Sequence, residues 1–249
     1  MRCDKSMQFY KSYIRPKAIG FDLDDTLYDN RPVLLNAEKK LHQFLRHEFP
    51  KTQQLSISDW TDIRLAATRL QPTLQQDITL ARQMSLAQGL LNSGYTQQQA
   101  NDGMMRAMEV FLMARNNIVL SSSVHKTLTL LQKHFRLFVI TNGNADIEKF
   151  GIDHYFEFAL QPSQNTSAAI AMKPANDMFI EAERRLALSG SDILYIGDHP
   201  TSDIKGSGDM GWQSGWFNAH QRPLIHYKKP QQLPTFEYNS ILQLTNLTQ

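Results

Sequence analysis

Cysteine is nearly absent from the chain: of its 249 residues, one is a cysteine, Cys3. A disulfide framework and a zinc site built from cysteines are therefore excluded, because each needs several thiols. Long apolar runs are missing too, so no segment has the length of a membrane-spanning helix. Residues 1–17 are polar and basic and lack the apolar centre of a secretory signal. We therefore expect a cytoplasmic protein without membrane association.

An excess of charge of either sign is missing as well. The chain has 26 Lys and Arg residues against 24 Asp and Glu residues, a formal net charge of +2. Because proteins dedicated to nucleic acid usually have a strong basic excess, we expect no nucleic-acid partner. What is present is an ordinary globular composition, with 41% hydrophobic residues, in a chain long enough for one large domain or two small ones. No pattern indicates an oligomeric state.

The order of the apolar patterns predicts a parallel sheet that is interrupted by helices. A short apolar run, Ala18–Phe21, stops abruptly at polar residues and is typical of a buried strand. Amphipathic helical patterns fill residues 31–117 without a convincing strand, and strands then alternate with helices. This alternation favours an α/β fold with right-handed crossovers. We therefore expect a sheet domain from residues 1–30 and 118–249 around an all-helical insert.

The second part of the sheet domain is predicted from four further runs and two helices, of which the first starts near Ser122. The second helix covers Pro174–Leu188, where apolar residues recur every three or four positions before Ser189-Gly190. The runs predicted as strands are Leu137–Ile140, Phe156–Leu160, Ile193–Ile196 and Ser214–Phe217. The carboxyl ends of such strands form the edge at which open α/β sheets bind their ligands.

Polar residues follow three of the predicted strands directly, and the topology brings them to this edge. They are Asp22, Asp24, Thr141, Asn142, Asp198 and Asp203. Four carboxylates so close together would repel one another strongly, and a hard divalent cation relieves that repulsion. Oxygen ligands with open water positions favour Mg²⁺. With Lys173, a hydroxyl and backbone amides opposite the cation, the edge suits a phosphoryl group.

These motifs resemble the four motifs of the haloacid dehalogenase (HAD) superfamily, in the same order along the chain. Asp-x-Asp-x-Thr stands at 22–26, Thr-Asn at 141–142, Lys-Pro at 173–174 and Gly-Asp-x-x-x-x-Asp at 197–203. The helical insert resembles a type 1 cap of that superfamily. The resemblance implies an α/β fold in which a Rossmann-like parallel sheet core carries an inserted all-helical cap domain, residues 31–117.

The resemblance also implies a role for each candidate residue. Asp22 would be the nucleophile that forms an aspartyl-phosphate, and Asp24 the general acid/base. Thr141 and Lys173 would complete the catalytic set. The phosphate would be bound by Thr141, Asn142 and Lys173, the second of these through its backbone N–H. The implied Mg²⁺ ligands are Asp22, Asp24 through its backbone carbonyl, Asp198 and Asp203 in support.

The second aspartate, Asp24, discriminates between reactions within the superfamily. Dehalogenases resemble this pattern but lack that aspartate, because a halide leaving group needs no proton whereas an alkoxide does. We therefore predict a phosphoric monoester hydrolase whose partner is a small phosphorylated metabolite. Three alternatives stay open: a sugar phosphomutase, a sugar or nucleotide phosphatase, and a degenerate, non-enzymatic HAD domain.

A closer resemblance points to a substrate class. Residues 21–33, 140–145 and 155–158 are similar to bacterial HAD phosphatases that act on phosphates of riboflavin biosynthesis. This similarity implies FMN or 5-amino-6-(5-phospho-D-ribitylamino)uracil as substrate. His199, next to the expected metal ligand Asp198, is expected to be an exposed loop residue rather than a catalytic one.

Overall fold

A computed structural model describes residues 7–163, 169–223 and 232–249, so Cys3 lies outside the described part of the chain. The described residues form a seven-stranded sheet, which confirms the predicted α/β class. Its strands are β1 (Gln8–Phe9), β2 (Ala18–Phe21), β3 (Arg136–Ile140), β4 (Ala159–Leu160), β5 (Ile193–Gly197), β6 (Gln213–Phe217) and β7 (Phe236–Tyr238). The strand order is β1-β7-β6-β5-β2-β3-β4, and every pair is parallel except β1 with β7.

Strand β2 lies in the interior of the sheet, between β3 and β5. All four of its residues are buried, as expected for a parallel strand that is covered on both faces. Phe21 is level with Val139 on one side and Ile196 on the other. The residues that follow these three positions therefore leave the sheet at the same edge.

Successive strand residues point to opposite faces of the sheet, and both faces carry apolar side chains. Helices therefore cover both faces. Ile19 and Phe21 join the hydrophobic cluster that includes Leu128, whereas Ala18 joins the cluster that includes Phe179. The flanking helices, which follow four others in the chain, are α5 (Ser122–Leu131), α6 (Asp177–Leu186) and α7 (Gly206–Asp209). A π-helical turn, Pro200–Lys205, leads into α7.

The first four α-helices after β2 pack on one another around a cluster of their own, which contains Leu41, Leu90 and Phe111. Thr96 caps the last of them together with Gln99, the reciprocal capping box that the sequence predicts. These helices are α1 (Asn30–Glu48), α2 (Ile57–Leu70), α3 (Ile78–Asn92) and α4 (Gln97–Arg115). We propose that they form a cap domain, residues 31–117, on a core of residues 1–30 and 118–249.

Short 3-10 segments connect these elements, and one follows the last strand. They are Pro50–Thr52, Pro72–Gln76, Asp153–Tyr155, Gly190–Asp192 and Ile241–Thr248. Among the described residues, no helix combines the length and the apolar character that crossing a bilayer would require.

The structure differs from the sequence-based expectations mainly at the edges of the sheet. The strand expected at Phe156–Leu160 is reduced to Ala159–Leu160, and the helix expected from Pro174 begins at Asp177. Strands β1 and β7 were not predicted. Each has only two or three residues, too few for an alternating pattern, and β1 is exposed on the outer edge.

Candidate active site

Asp22 is the first residue after β2, and its backbone N–H still donates to the carbonyl of Ile196 at 2.8 Å. This bond keeps the residue in line with the sheet, so its side chain lies at the carboxyl edge, 6% exposed. Burial raises the pKa of Asp22 to about 7, although the neighbouring charge of Lys173 opposes the rise. A carboxylate at this position therefore depends on nearby positive charge to be ionised at neutral pH.

That positive charge comes from Lys173, whose ammonium group is buried beneath the site. Its Nζ lies 2.7 Å from a carboxylate oxygen of Asp22, from one of Asp203 and from the hydroxyl of Tyr195. Burial by itself lowers the pKa of Lys173, but the carboxylates of Asp203 and Asp22 outweigh it and hold that pKa well above its ordinary value. Lys173 is therefore protonated at neutral pH.

Asn142 holds the backbone of Lys173 with its side chain. Its Nδ2 donates to the Lys173 carbonyl at 2.9 Å, and its Oδ1 accepts from the Lys173 N–H at 2.7 Å. The side chain therefore ties the loop after β3 to the loop before α6. The sequence suggested a role for the backbone N–H of Asn142 but not this function of its amide group.

Thr141 is buried beside Asn142, with its hydroxyl oxygen accepting from the N–H of Gly143 at 3.0 Å. The hydroxyl proton is thus left to donate to a bound group. The cavity at this point has a volume of about 190 Å³. All seven predicted site residues line it: Asp22, Asp24, Thr141, Asn142, Lys173, Asp198 and Asp203.

Asp22, Asp198 and Asp203 each place a carboxylate oxygen within 4.8 Å of the others. Burial, followed by repulsion from Asp203 and Asp22, raises the pKa of Asp198 to about 8. Hard oxygen donors that repel one another in this way fit a divalent cation such as Mg²⁺. The donor set therefore suits the metal that the sequence predicts.

Asp203 differs from the other two acids because the protein already binds both of its oxygens. One accepts from Lys173, and the other accepts from the backbone N–H of His199 at 2.9 Å. Gly197 makes room for it, since a Cβ there would lie 2.3–2.4 Å from the Asp203 side chain. Direct metal ligation by Asp203 stays a prediction, and its observed contacts hold Lys173 in place.

Asp24 is bound by two residues that the sequence did not single out. Nη2 of Arg115 lies 2.6 and 2.8 Å from the two carboxylate oxygens of Asp24, and the hydroxyl of Tyr28 donates to one of them. Arg115 is the last residue of α4, where a basic residue is ordinarily explained by the helix dipole.

Tyr195, which contacts Lys173, stands in an apolar strand and has the pattern of a core residue. Neither Arg115 nor Tyr195 therefore carried a sequence signal for the site.

His199 is exposed and caps the helical turn that follows it, which agrees with the expected loop position. Its Nδ1 accepts from the backbone N–H groups of Thr201 and Ser202 at 3.2 and 3.1 Å. The imidazole of His199 is therefore the N-terminal cap of the helical turn that carries Asp203.

A second cavity, of about 230 Å³, adjoins the first and shares Asp24, Asn142 and Gly143 with it. Helix residues form its other side, among them Arg82, whose guanidinium lies 3.7 Å from the ring centre of Phe111. Arg82 is also paired with Glu38 at 2.8 Å. A group bound in the first cavity can therefore extend past Asp24 into a space lined by both apolar and hydrogen-bonding side chains.

Comparisons with known proteins agree with this geometry. A protein-family model described as haloacid dehalogenase-like hydrolase matches residues 16–211. The 5-amino-6-(5-phospho-D-ribitylamino)uracil phosphatase YigB of Escherichia coli K12 is 34% identical over 241 residues, 97% of this chain and 100% of that protein. The pyrimidine 5'-nucleotidase PynA of Streptococcus pneumoniae is 25% identical over 92% of this chain and 93% of its own. Among solved structures, a 2-haloacid dehalogenase from Pseudomonas syringae has a TM-score of 0.83 and 32% identity, over 93% of this chain and 97% of its own.

Proposed function

The chain belongs to the haloacid dehalogenase-like hydrolase family and is a phosphatase, and we propose that it hydrolyses a small phosphorylated metabolite through an aspartyl-phosphate on Asp22. One observation carries the proposal: the ammonium of Lys173 lies 2.7 Å from the carboxylate of Asp22 at the base of a cavity that Asp24 and Asp198 also line. A carboxylate can attack a phosphate only where positive charge offsets their mutual repulsion, and Lys173 supplies such charge.

In the first step, an oxygen of Asp22 forms a bond to phosphorus while the bond from phosphorus to the leaving oxygen breaks. Asp24 gives a proton to that oxygen, so the product leaves as an alcohol. Thr141 and the backbone N–H of Asn142 donate to the phosphoryl oxygens as charge develops on them. Lys173 keeps Asp22 ionised beforehand and stays close to the transferred group.

In the second step, water attacks phosphorus and gives up a proton to Asp24, and the bond to Asp22 breaks. The two steps return Asp22 and Asp24 to their starting states and release inorganic phosphate. Splitting one difficult hydrolysis into two easier transfers is the general advantage of a covalent intermediate.

We propose Mg²⁺ as the cofactor, held by Asp22, Asp198 and the backbone carbonyl of Asp24, with Asp203 in support. It would supply positive charge against the phosphoryl oxygens, in addition to the charge of Lys173. The three carboxylate oxygens within 4.8 Å of one another support this assignment.

For the substrate we propose FMN or 5-amino-6-(5-phospho-D-ribitylamino)uracil. The 34% identity to a phosphatase named for the second compound supports this choice. The adjoining cavity, with its amide and guanidinium groups beside apolar side chains, suits a heterocyclic or polyhydroxylated leaving group. Sugar phosphates and nucleotides are the competing substrates, and a phosphomutase would differ by returning the phosphoryl group to a sugar.

The likeness to a solved 2-haloacid dehalogenase makes dehalogenation the alternative reaction. Asp24 argues against it, because a halide leaves without a proton and such an enzyme has no use for an acid at this position. We expect no chloride release from 2-chloropropionate under conditions in which phosphate esters are hydrolysed.

The decisive experiment is Mg²⁺-dependent hydrolysis of 4-nitrophenyl phosphate, followed by a panel of metabolite phosphates. We expect Asp22→Asn to abolish turnover and EDTA to do so reversibly. Near-normal turnover by Asp22→Asn would contradict the aspartyl-phosphate mechanism. In the panel, a kcat/KM for sugar phosphates two orders of magnitude above that for FMN would contradict the substrate proposal but not the reaction.

A further inference from the structure

We propose that Arg115 is the positioning residue for Asp24: it fixes the carboxylate so that one oxygen, Oδ2, exchanges the proton with the leaving group. The inference rests on the proposed phosphatase reaction and assigns a part in it to a residue outside the four motifs. Arg115 contacts the carboxylate of Asp24 and acts through it.

The contacts of Arg115 leave the carboxylate of Asp24 a single orientation. Nη2 donates to Oδ1 at 2.6 Å and to Oδ2 at 2.8 Å, while Nη1 donates to the hydroxyl of Tyr28 at 3.2 Å. Tyr28 in turn donates to Oδ1. Oδ1 therefore accepts from two residues and Oδ2 from Arg115 alone, so Oδ2 is the oxygen with capacity left for a proton in transit.

The two side chains of this ion pair differ in how deeply they are buried. The side chain of Arg115 is 1% exposed, whereas that of Asp24 is 21% exposed and lines both cavities. Asp24 is thus the more open partner of the pair, and it lines the first cavity as well as the second, which Arg115 also lines. A buried ion pair of this kind contributes little net stability, so stability alone does not account for an arginine here.

Gly143 restricts Asp24 from another side. A Cβ at this position would lie 2.5 Å from Oδ2 of Asp24 and 3.3 Å from Nη2 of Arg115. The backbone of the Thr141–Gly143 loop therefore packs directly on the pair, and any side chain at 143 would displace it. Asp24 is held between this loop and the guanidinium.

The end of α4 is itself anchored to the sheet domain, which makes Arg115 a fixed point. The next residue, Asn116, accepts from the backbone N–H of Asp146 at 2.8 Å through its side chain. Proton transfer requires the acid within hydrogen-bond distance of the leaving oxygen, and a misplacement of about 1 Å can cost about 100-fold in rate. Loss of Arg115 should therefore impair the steps that need a proton and spare those that do not.

The test compares two aryl phosphates that differ in how much their leaving group needs a proton. Nitrophenolate leaves readily as an anion, whereas phenol, with a pKa of about 10 as in tyrosine, benefits from protonation. We measure kcat/KM, which includes the release of the phenol but not the later hydrolysis of the aspartyl-phosphate. For Arg115→Met we expect the loss on phenyl phosphate to exceed the loss on 4-nitrophenyl phosphate by at least about 10-fold.

Other variants separate positioning from a structural role. Asp24→Asn and Gly143→Ala should show the same preference for the better leaving group. Arg115→Lys should be intermediate, because lysine keeps the positive charge but lacks the two guanidinium nitrogens that contact Asp24 and Tyr28 together. Arg106→Met removes an exposed arginine from the same helix and should leave the ratio of the two substrates unchanged. If Arg115→Met does not fold, Arg115→Lys and Gly143→Ala still measure the ratio.

Equal losses on both substrates in folded Arg115 variants would overturn the proposal. A wild-type protein that hydrolyses neither aryl phosphate would instead overturn the proposed function, so the two failures are distinguishable.

Discussion

Three carboxylates, those of Asp22, Asp198 and Asp203, meet beside the ammonium of Lys173 where β2 and β5 end. Lys173 is a single cation among three acids, so repulsion among the carboxylates is only partly offset. The raised pKa values of Asp22 and Asp198 express this imbalance together with their burial. Because the site lacks positive charge, a divalent cation that binds there should stabilise it strongly.

The pH dependence of stability should reveal this deficit in protein from which metal has been removed. The pKa of Asp198 is about 8 in the fold against 3.8 as its ordinary value. An acid with a raised pKa in the folded state favours folding at low pH, and its contribution disappears as the pH rises through about 8. We therefore expect the melting temperature of Asp198→Asn in EDTA to lie several degrees above that of the wild type at pH 8–9. In a protein of this size, each kcal/mol of stability raises the melting temperature by about 2–4 °C.

The same comparison below the ordinary pKa of 3.8 serves as the control for that prediction, because there Asp198 is protonated in both the folded and the unfolded state and the difference should vanish. Thermal unfolding across this pH range is the measurement. If Asp198→Asn were less stable than the wild type at pH 9, the charge of Asp198 would not be the main factor that lowers the stability of the metal-free protein.

At the scale of elements, two loops form the phosphate side of the site and are joined by one amide. The loop after β3 carries Thr141 and Asn142, the loop before α6 carries Lys173, and both hydrogen bonds between them use the Asn142 side chain. The position of the Lys173 ammonium therefore depends on a contact between segments 31 residues apart.

We predict that Asn142→Ala lowers kcat/KM by about 10- to 100-fold, because Lys173 loses its support while the backbone N–H at 142 is kept. Mg²⁺ affinity should stay within a few-fold of the wild type, since the metal ligands lie on other loops. Steady-state kinetics and a Mg²⁺ titration measure the two quantities. The control is Asn101→Ala, which removes an exposed amide from α4. A loss of Mg²⁺ affinity equal to the loss of activity would contradict this division of roles.

At the scale of the whole molecule, a near-neutral chain conceals a local acidic cluster. The net charge of +2 results from 26 basic and 24 acidic residues, yet three acids share one edge of the sheet. The helical insert closes over that edge, where Arg115 reaches Asp24 and the Asn144 side chain donates to Thr79 at 3.3 Å. Metal binding should consequently stabilise the entire fold rather than one loop.

We expect Mg²⁺ at about 100 times its dissociation constant to stabilise the wild type by about 2.7 kcal/mol, seen as a rise in melting temperature. Asp198→Ala should show no such rise. Sodium chloride at matched ionic strength is the control, because screening of surface charges would act on both proteins alike. An equal rise in wild type and variant would place the metal effect elsewhere in the protein.

The superfamily resemblance predicted the α/β class and a phosphatase of the HAD family, and the sheet topology, the family model and the curated phosphatase relatives confirm these. The seven predicted site residues line one cavity, and their roles stay predictions until the variants are measured. The edge strands β1 and β7 were missed because two or three residues carry no periodic signal.

The sequence by itself determined which polar residues meet at one edge of the sheet, because buried parallel strands end where apolar runs end and the residues that follow them share that edge. Asp22, Thr141 and Asp198 could be identified on that basis. Only the tertiary structure decided what surrounds them. Arg115 and Asp24 are 91 residues apart and Tyr195 lies 22 residues from Lys173, so no local spacing relates them. Their contacts exist because a helix end and a strand face pack against the site, and packing partners of that kind leave no periodic trace in a single chain.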